Sequence, residues 1–317
     1  MSDDLIAILN RYGSEKEPFF FMISYDLNHF IVEPLKTLSS EIKYEINTKK
    51  KIEQKEKLPL IKLPETFETY EKKFNRLQEE ITAGNTYLLN LTTQTKIHSQ
   101  YSLNEIYEKA HAKFKLKYND EFVCFSPERF IKIHKNKIYT YPMKGTIDAN
   151  IPNAQAKILG DIKEMAEHTM VVDLLRNDLS IVSSKVRVDT FRYCETIHAG
   201  EKTLLQISSK ISGHLPKDWS ENIGNILTDL LPAGSITGTP KKKTVEILND
   251  VEGYNREYYS GVFGVYDGQN LDSAVMIRFI QKDDNHELWY KSGGGITCDS
   301  NVYSEYQELL DKIYIPS

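Results

Sequence analysis

The chain has 317 residues, is 40% hydrophobic and 27% charged, and carries a formal net charge of -5. That length can bury one large core or two ordinary ones, and the small negative balance excludes a global pull toward nucleic acid or an anionic membrane, so an anionic ligand must be held locally. The N-terminus, Met1-Ser-Asp-Asp, is acidic where a signal peptide is basic, and the first strongly apolar run, Pro18 to Ile23, is far too short to cross a bilayer. A cytoplasmic protein with no membrane or nucleic-acid partner is therefore expected.

Residues 19–33 (FFFMISYDLNHFIVE) suggest one or two strands, and 42–57, dominated by Lys and Glu, an exposed connection or ragged hairpin. This makes 1–62 a short N-terminal segment and places the main domain at 63–317. A helix is expected over 65–83, apolar at Phe67, Tyr70, Phe74, Leu77 and Ile81 and stopped by Gly84-Asn85, then a strand through Leu91. Short strands follow at 121–125, 130–134 and 137–141, and a long helix at 153–179. Further strands are expected at 186–188, 204–211, 262–266, 273–279 and 287–291, and further helices at 220–230, 240–251 and 302–313. Strands in hairpin-like groups with a few long helices between them favour an α+β architecture with antiparallel sheets over βαβ alternation. Cys124, Cys194 and Cys298 lie far apart with no CxxC pair, which suits reduced thiols.

Two carboxylate pairs carry the clearest chemical signal: Glu164 with Glu167 on the long helix, and Glu305 with Glu308 on the last, each at i, i+3 and so on one face. On the last helix Glu305, Glu308 and Lys312 flank the apolar stripe, as residues lining a cleft do. Hard oxygen ligands of this kind suit Mg²⁺ when it also binds an anionic substrate. Two glycine-rich turns, Gly234-Ser-Ile-Thr-Gly-Thr-Pro-Lys and Gly293-Gly-Gly-Ile-Thr-Cys298, fit neither a P-loop nor a dinucleotide fingerprint, yet both can offer backbone N–H groups to a carboxylate.

From about Gly84 to Lys312 the chain resembles the chorismate-binding enzymes, the family of anthranilate synthase large subunits and of aminodeoxychorismate, isochorismate and salicylate synthases. The resemblance rests on motifs in order: Asn90-Leu-Thr, Ser126-Pro-Glu-Arg-Phe130, Pro142-Met-Lys-Gly-Thr146, the run Glu167-His-Thr-Met to Asn177-Asp-Leu179, Pro232-Ala-Gly-Ser to Lys241, Ala274-Val-Met-Ile-Arg278, and Gly293-Gly-Gly-Ile with Glu305-Tyr-Gln-Glu308. It implies antiparallel sheets packed as a sandwich and flanked by helices. By that resemblance Glu167 and Glu308 ligate Mg²⁺ and Glu164 and Glu305 hold its waters. The ring carboxylate of chorismate falls to the metal, Lys312 and the Gly293, Gly294 and Gly295 backbone, and the enolpyruvyl carboxylate to Arg278 and Tyr259. Ser235 and Gln206 are further candidate substrate contacts.

Lys144 chooses among family members, because anthranilate and isochorismate synthases typically carry Ala there and aminodeoxychorismate-forming members Lys, sixteen positions after Glu128 as here. The implied reaction replaces the 4-hydroxyl of chorismate by an amine, on the way to 4-aminobenzoate and folate. In it Glu128 protonates the departing hydroxyl, Lys144 attacks ring carbon C2, and ammonia attacks C4 and expels the lysine. A nucleophilic Lys must be neutral, and the nearby carboxylates oppose that. Leu88 stands where most aminating members have Gln and isochorismate-forming members a water-activating Lys, and a leucine cannot activate water. Gln206 stands where the family usually has His, and cannot carry a proton. The N-terminal part is much shorter than in typical large subunits, so bound tryptophan is not expected. No cysteine shows a glutaminase context and no further domain follows to eliminate pyruvate, so ammonia is expected from solution or from a separate glutaminase subunit. Anthranilate synthase activity and a non-catalytic paralogue are the competing expectations.

Overall fold

A computed structural model describes residues 2–48, 58–199 and 202–316. In chain order the elements are α1 (Ser2–Ser14), β1 (Phe19–Ile23), β2 (Phe30–Pro34), β3 (Ile42–Ile46), β4 (Ile61–Leu63), α2 (Phe67–Thr82), β5 (Leu88–His98), α3 (Leu103–Lys109) and β6 (Phe114–Tyr118). Then come β7 (Phe122–Ser126), β8 (Arg129–His134), β9 (Lys137–Thr140), β10 (Met143–Asp148), α4 (Ala154–Gly160), α5 (Ile162–Val182), β11 (Ser184–Ala199) and β12 (Lys202–His214). The last are α6 (Ile223–Leu230), β13 (Gly238–Thr239), α7 (Lys241–Glu252), β14 (Val262–Tyr266), β15 (Leu271–Val275), β16 (Phe279–Lys282), β17 (Leu288–Ile296) and α8 (Val302–Asp311).

The strands form two antiparallel sheets. One runs β10-β12-β9-β8-β15-β14-β1-β2 with β11 on β12, the other β13-β5-β17-β16-β7-β6-β3 with β4 on β5. Strand β1 shows why they stack. Its unbroken FFFMI run is apolar on both faces, as a strand buried on both sides must be. Phe20 and Met22 pack between the sheets against Phe114, Phe122 and Phe279, while Phe19, Phe21 and Ile23 face the opposite way, toward α1, α5 and α6. Helices α2, α7 and α8 cover the outer face of the second sheet through Phe74, Leu77, Leu248 and Leu309, with α3 beside them on Ile106. The expected α+β sandwich flanked by helices is what the chain forms.

Several boundaries differ from expectation. The segment before residue 63 does not stand apart, because β1 pairs with β14 inside the first sheet and β3 with β6 in the second; the remainder of the charged stretch, 49–57, lies outside the described residues. The expected helix 153–179 is two helices. Asp161 adopts an extended backbone between them, and its carboxylate accepts from Glu164 N–H at 3.0 Å as the N-cap of α5. The expected strand 273–279 is also two, β15 in one sheet and β16 in the other. Between them Arg278 takes a left-handed backbone (φ 55°), a strained turn for a residue with a side chain. Helices α1 and α3 and strand β6 escaped the sequence patterns, and β11 and β12 run far past the short stretches expected. Among the described residues no helix is long and apolar enough to cross a membrane.

Two connections pass from sheet to sheet side by side. The link from β7 to β8 carries Pro127 and Glu128, and that from β15 to β16 carries Ile277 and Arg278. The links are tied together by Val275 N–H on Glu128 O and Phe125 N–H on Arg278 O, both at 3.2 Å.

Candidate active site

A cavity of about 230 Å³ opens where these links meet the N-terminal half of α5 and one edge of α8. Its wall includes Glu128, Lys144, Glu167, Gln206, Ser235, Tyr259, Arg278, Gly293, Gly295, Glu308 and Lys312. Eleven of the fourteen residues marked out by sequence therefore meet in one place, from segments that span most of the chain. Gly294 does not line the cavity: strand alternation turns it toward α8, where a Cβ would lie 3.6 Å from Glu305 Oε2. Glu164 and Glu305 also stand behind the wall, Glu164 under Gly145 and Glu305 accepting from Ser300 Oγ at 2.8 Å.

Lys144 enters the cavity from a bulge in β10, where the register to β12 shifts between Met143 and Thr146. The turn requires glycine at 145. There φ is +89° and a Cβ would meet Glu164 Oε2 at 2.7 Å. The lysine ammonium lies 2.8 Å from Glu167 Oε2. Burial disfavours its charge, but the Glu167 carboxylate, with Glu308 and Glu164 beyond, outweighs burial and holds the lysine above its ordinary range. Lys312 is placed by Glu308 at 2.6 Å and by Gly293 O at 2.9 Å. There the balance reverses. Burial, helped by Arg278 and Lys144, wins over Glu308 and lowers the lysine.

Glu128 faces these cations. Ser235 Oγ donates to its Oε1, and Asn90 Nδ2 holds Ser235 by its carbonyl at 3.0 Å. Burial raises the Glu128 carboxyl above its ordinary range against the opposing Ser235 hydrogen bond and the charges of Arg278 and Lys312, so it is displaced toward its neutral, proton-bearing form. Arg278 has a buried Nε with no hydrogen-bond partner, and its guanidinium sits 5.5 Å from the centroid of the Tyr314 ring. A bidentate donor with unused capacity in a cavity is suited to a carboxylate ligand. Tyr259 is buried beside it, and Gln206, on β12, pairs in register with Thr146 and Glu195.

The four glutamates do not form a ready chelate. Among the described residues no three His, Cys, Asp or Glu side chains are grouped to hold a metal ion. The reason is visible in their partners: Glu167 is taken by Lys144, Glu308 by Lys312 and Glu305 by Ser300. The donor set nonetheless suits a hard divalent cation, with Glu167 and Glu308 on one wall from two helices. Glu164 Oε2 is buried without a partner, and burial with the neighbouring Glu167, Asp161 and Glu308 charges raises Glu164 despite Lys144.

Sequence patterns gave no role to Ser292, whose buried Oγ on the cavity wall lacks a partner, or to Ser260 and Thr92 beside it. Ser292 stands directly before the glycine run, and that adjacency was the available signal.

The fold and cavity together define a two-sheet α+β protein with a polar cavity between its sheet crossings, lined by acids, two lysines and an arginine. A family model described as chorismate binding enzyme matches residues 26–316, and the chain belongs to that family. It is 45% identical over 313 residues to an uncharacterized PabA-like protein of Pasteurella multocida, covering 97% of this chain and 96% of that one. It is 31% identical over 266 residues to aminodeoxychorismate synthase component 1 of Escherichia coli K12, a match of 78% of this chain and 56% of the relative, little more than half of that relative's length. The structure of MenF, the menaquinone-specific isochorismate synthase of Escherichia coli, superposes with a TM-score of 0.71 at 16% identity, over 98% of this chain and 80% of that one, a likeness of fold alone.

Proposed function

We propose that this chain is the ammonia-using component of an aminodeoxychorismate synthase, replacing the 4-hydroxyl of chorismate by an amine. The observation that carries the proposal is Lys144. It stands in the cavity with its amine on Glu167, in the same enclosure as Glu128, whose carboxyl burial raises, and two cations fit for carboxylates. An anthranilate-type site would carry alanine at that position.

In the proposed sequence Arg278 and Tyr259 hold the enolpyruvyl carboxylate, while Lys312 and the Gly293 and Gly295 backbone receive the ring carboxylate. Glu128 gives its proton to the 4-hydroxyl, which leaves as water while the Lys144 amine bonds to C2 and both conjugated ring double bonds shift. Ammonia then bonds to C4, both double bonds return, and the C2–N bond breaks to release Lys144. Glu128 recovers a proton from the incoming ammonia, so chorismate and ammonia give aminodeoxychorismate and water. Lys144 is an ammonium as long as Glu167 faces it, so its activation requires that the Glu167 carboxylate be engaged elsewhere. Glu167 and Glu308 would hold Mg²⁺, with Glu164 and Glu305 behind them; when bound it supplies positive charge that offsets these carboxylates and attracts the substrate's.

Pure chain given chorismate, Mg²⁺ and ammonium at mildly alkaline pH is expected to make aminodeoxychorismate, identified by mass, and to make none with glutamine in place of ammonium. The "component 1" in the relative's name fits a separate glutaminase subunit that supplies ammonia. Formation of anthranilate, or of no product, would overturn the proposal. For the metal, Glu167→Gln or Glu308→Gln is expected to abolish turnover and to remove measurable Mg²⁺ binding by calorimetry at low millimolar metal. Either variant turning over at a near-normal rate there would rule out the ligand assignment.

A further inference from the structure

A second, more open pocket of about 680 Å³ lies outside the first. Its walls include Thr169, Met170 and Val172 of α5, Val188 and Phe191 of β11, and Tyr87. Leu88 is the one residue that belongs to both linings among the described residues. The same helix divides the two spaces, with Val171 on the inner cavity and Met170 and Val172 on the outer pocket.

Leu88 is built as a partition. Its backbone is fixed, because it pairs with Thr239 across β5 and β13 and the preceding Tyr87 N–H donates to Thr239 O at 3.0 Å. The side chain is 7% exposed and reaches over Gly295. At the point where a Cβ of residue 295 would stand, Leu88 Cδ1 is 3.5 Å away and Lys144 Nζ 3.8 Å. With glycine there, that point is left clear. A small molecule passing Leu88 thus emerges beside the Lys144 amine.

We propose that ammonia enters the cavity through this outer pocket, with Leu88 as the side chain that moves aside to admit it; this rests on the amination proposed above. The inner cavity already has a solvent-facing side at α8, where the Glu308 side chain is 49% exposed. A ring with two carboxylate arms that enters there and fills 230 Å³ blocks it. The second reactant then needs another way in. An apolar partition also selects the reactive species, because neutral ammonia gives up little hydration to pass a leucine, whereas ammonium would lose a charge's hydration with nothing to replace it. Leucine side chains change rotamer even in packed interiors, so the gate needs no backbone motion.

Thr169→Trp tests this. The residue is exposed on α5, lines only the outer pocket, and lies outside the catalytic constellation. Filling the pocket with an indole is expected to raise KM for ammonia at least five-fold while KM for chorismate and the rate at saturating ammonia stay at wild-type values. Leu88→Ala, which widens the partition, is expected to lower KM for ammonia several-fold. Met170→Trp fills the same space from the next position should the first variant fail to fold. An unchanged KM for ammonia in the plugged protein, or an equal rise for both substrates, overturns the route and leaves the amination standing. Absence of amination in the wild-type chain instead overturns the proposed function, and the route with it.

Discussion

Replacing Lys144 by alanine is expected to lower C4 amination of chorismate by a factor of about 1000 or more, equivalent to roughly 4 kcal/mol of transition-state stabilisation, while chorismate affinity changes only a few-fold. The asymmetry follows from the cavity. The groups suited to the two carboxylates, Arg278 and Lys312, are held by contacts that do not involve Lys144, whereas the 2.8 Å ion pair to Glu167 is lost. The pH dependence gives the sign of the effect. Lys144 must shed a proton to attack, and Glu167, until it is drawn elsewhere, holds that proton on, so at a fixed concentration of free NH3 wild-type turnover is expected to climb as pH rises. The alanine variant should lose that limb, and its residual product should shift toward amination at C2. Steady-state rates across pH, with products separated by mass, check both statements. A loss of only a few-fold with unchanged product would make Lys144 an electrostatic support rather than a covalent nucleophile.

The largest effect on stability is expected at Arg256 and Glu252. Arg256 is 3% exposed and Glu252 4%, and the pair is bidentate, with Nη2 on Oε1 at 2.6 Å and Nε on Oε2 at 2.8 Å. Arg256 also donates to Asn90 O and Ile236 O at 2.8 and 3.1 Å, while Glu252 accepts from Thr92 N–H and Oγ, both at 2.8 Å. The pair thus joins β5 to the turn that carries Ser235. Burial disfavours the guanidinium charge, yet Glu252 outweighs it and holds Arg256 above its ordinary range. Glu252→Ala leaves that charge buried without its partner, at a cost of about 3–5 kcal/mol, read as a fall in thermal midpoint on the order of 10 °C. Replacing both residues by apolar ones of similar volume, Glu252→Leu with Arg256→Met, is expected to recover much of the loss. If the double variant is no better than the single one, the stabilisation lies in the hydrogen bonds to Asn90 and Ile236, not in the pairing of charge.

What could be read from sequence divides along physical lines. Helix α2 was legible because Tyr70, Phe74, Leu77 and Ile81 repeat at helical spacing and all four are buried. Eleven of the fourteen candidate residues line one cavity, and most of them sit in short local motifs such as Ser126-Pro-Glu-Arg-Phe130 and Pro142-Met-Lys-Gly-Thr146, which a sequence displays without its fold. Helix α1 was not, although Leu5 and Leu9 are fully buried on α6, because Leu5 to Leu9 is an unbroken apolar run that shows no helical period. The break at Asp161 and the passage of β15 into β16 were hidden for a different reason. Both depend on where the next segment packs, which local pattern does not encode. The pairing of Glu167 with Lys144 was likewise out of reach, since the two are brought together only by the bulge in β10 and the start of α5.

The paired crossings of the sandwich have a mechanical consequence. Glu128 and Arg278 ride on two backbones that hydrogen-bond to each other at both ends of the passage. Glu128 leads directly into β8 and its carbonyl is held by β15, both in the first sheet, whereas Arg278 leads into β16 and its carbonyl is held by β7, both in the second. Sliding of one sheet over the other would therefore change the distance between the acid and the guanidinium. The cavity is in effect a gauge of sheet alignment, with the proton donor on one scale and the anchor on the other.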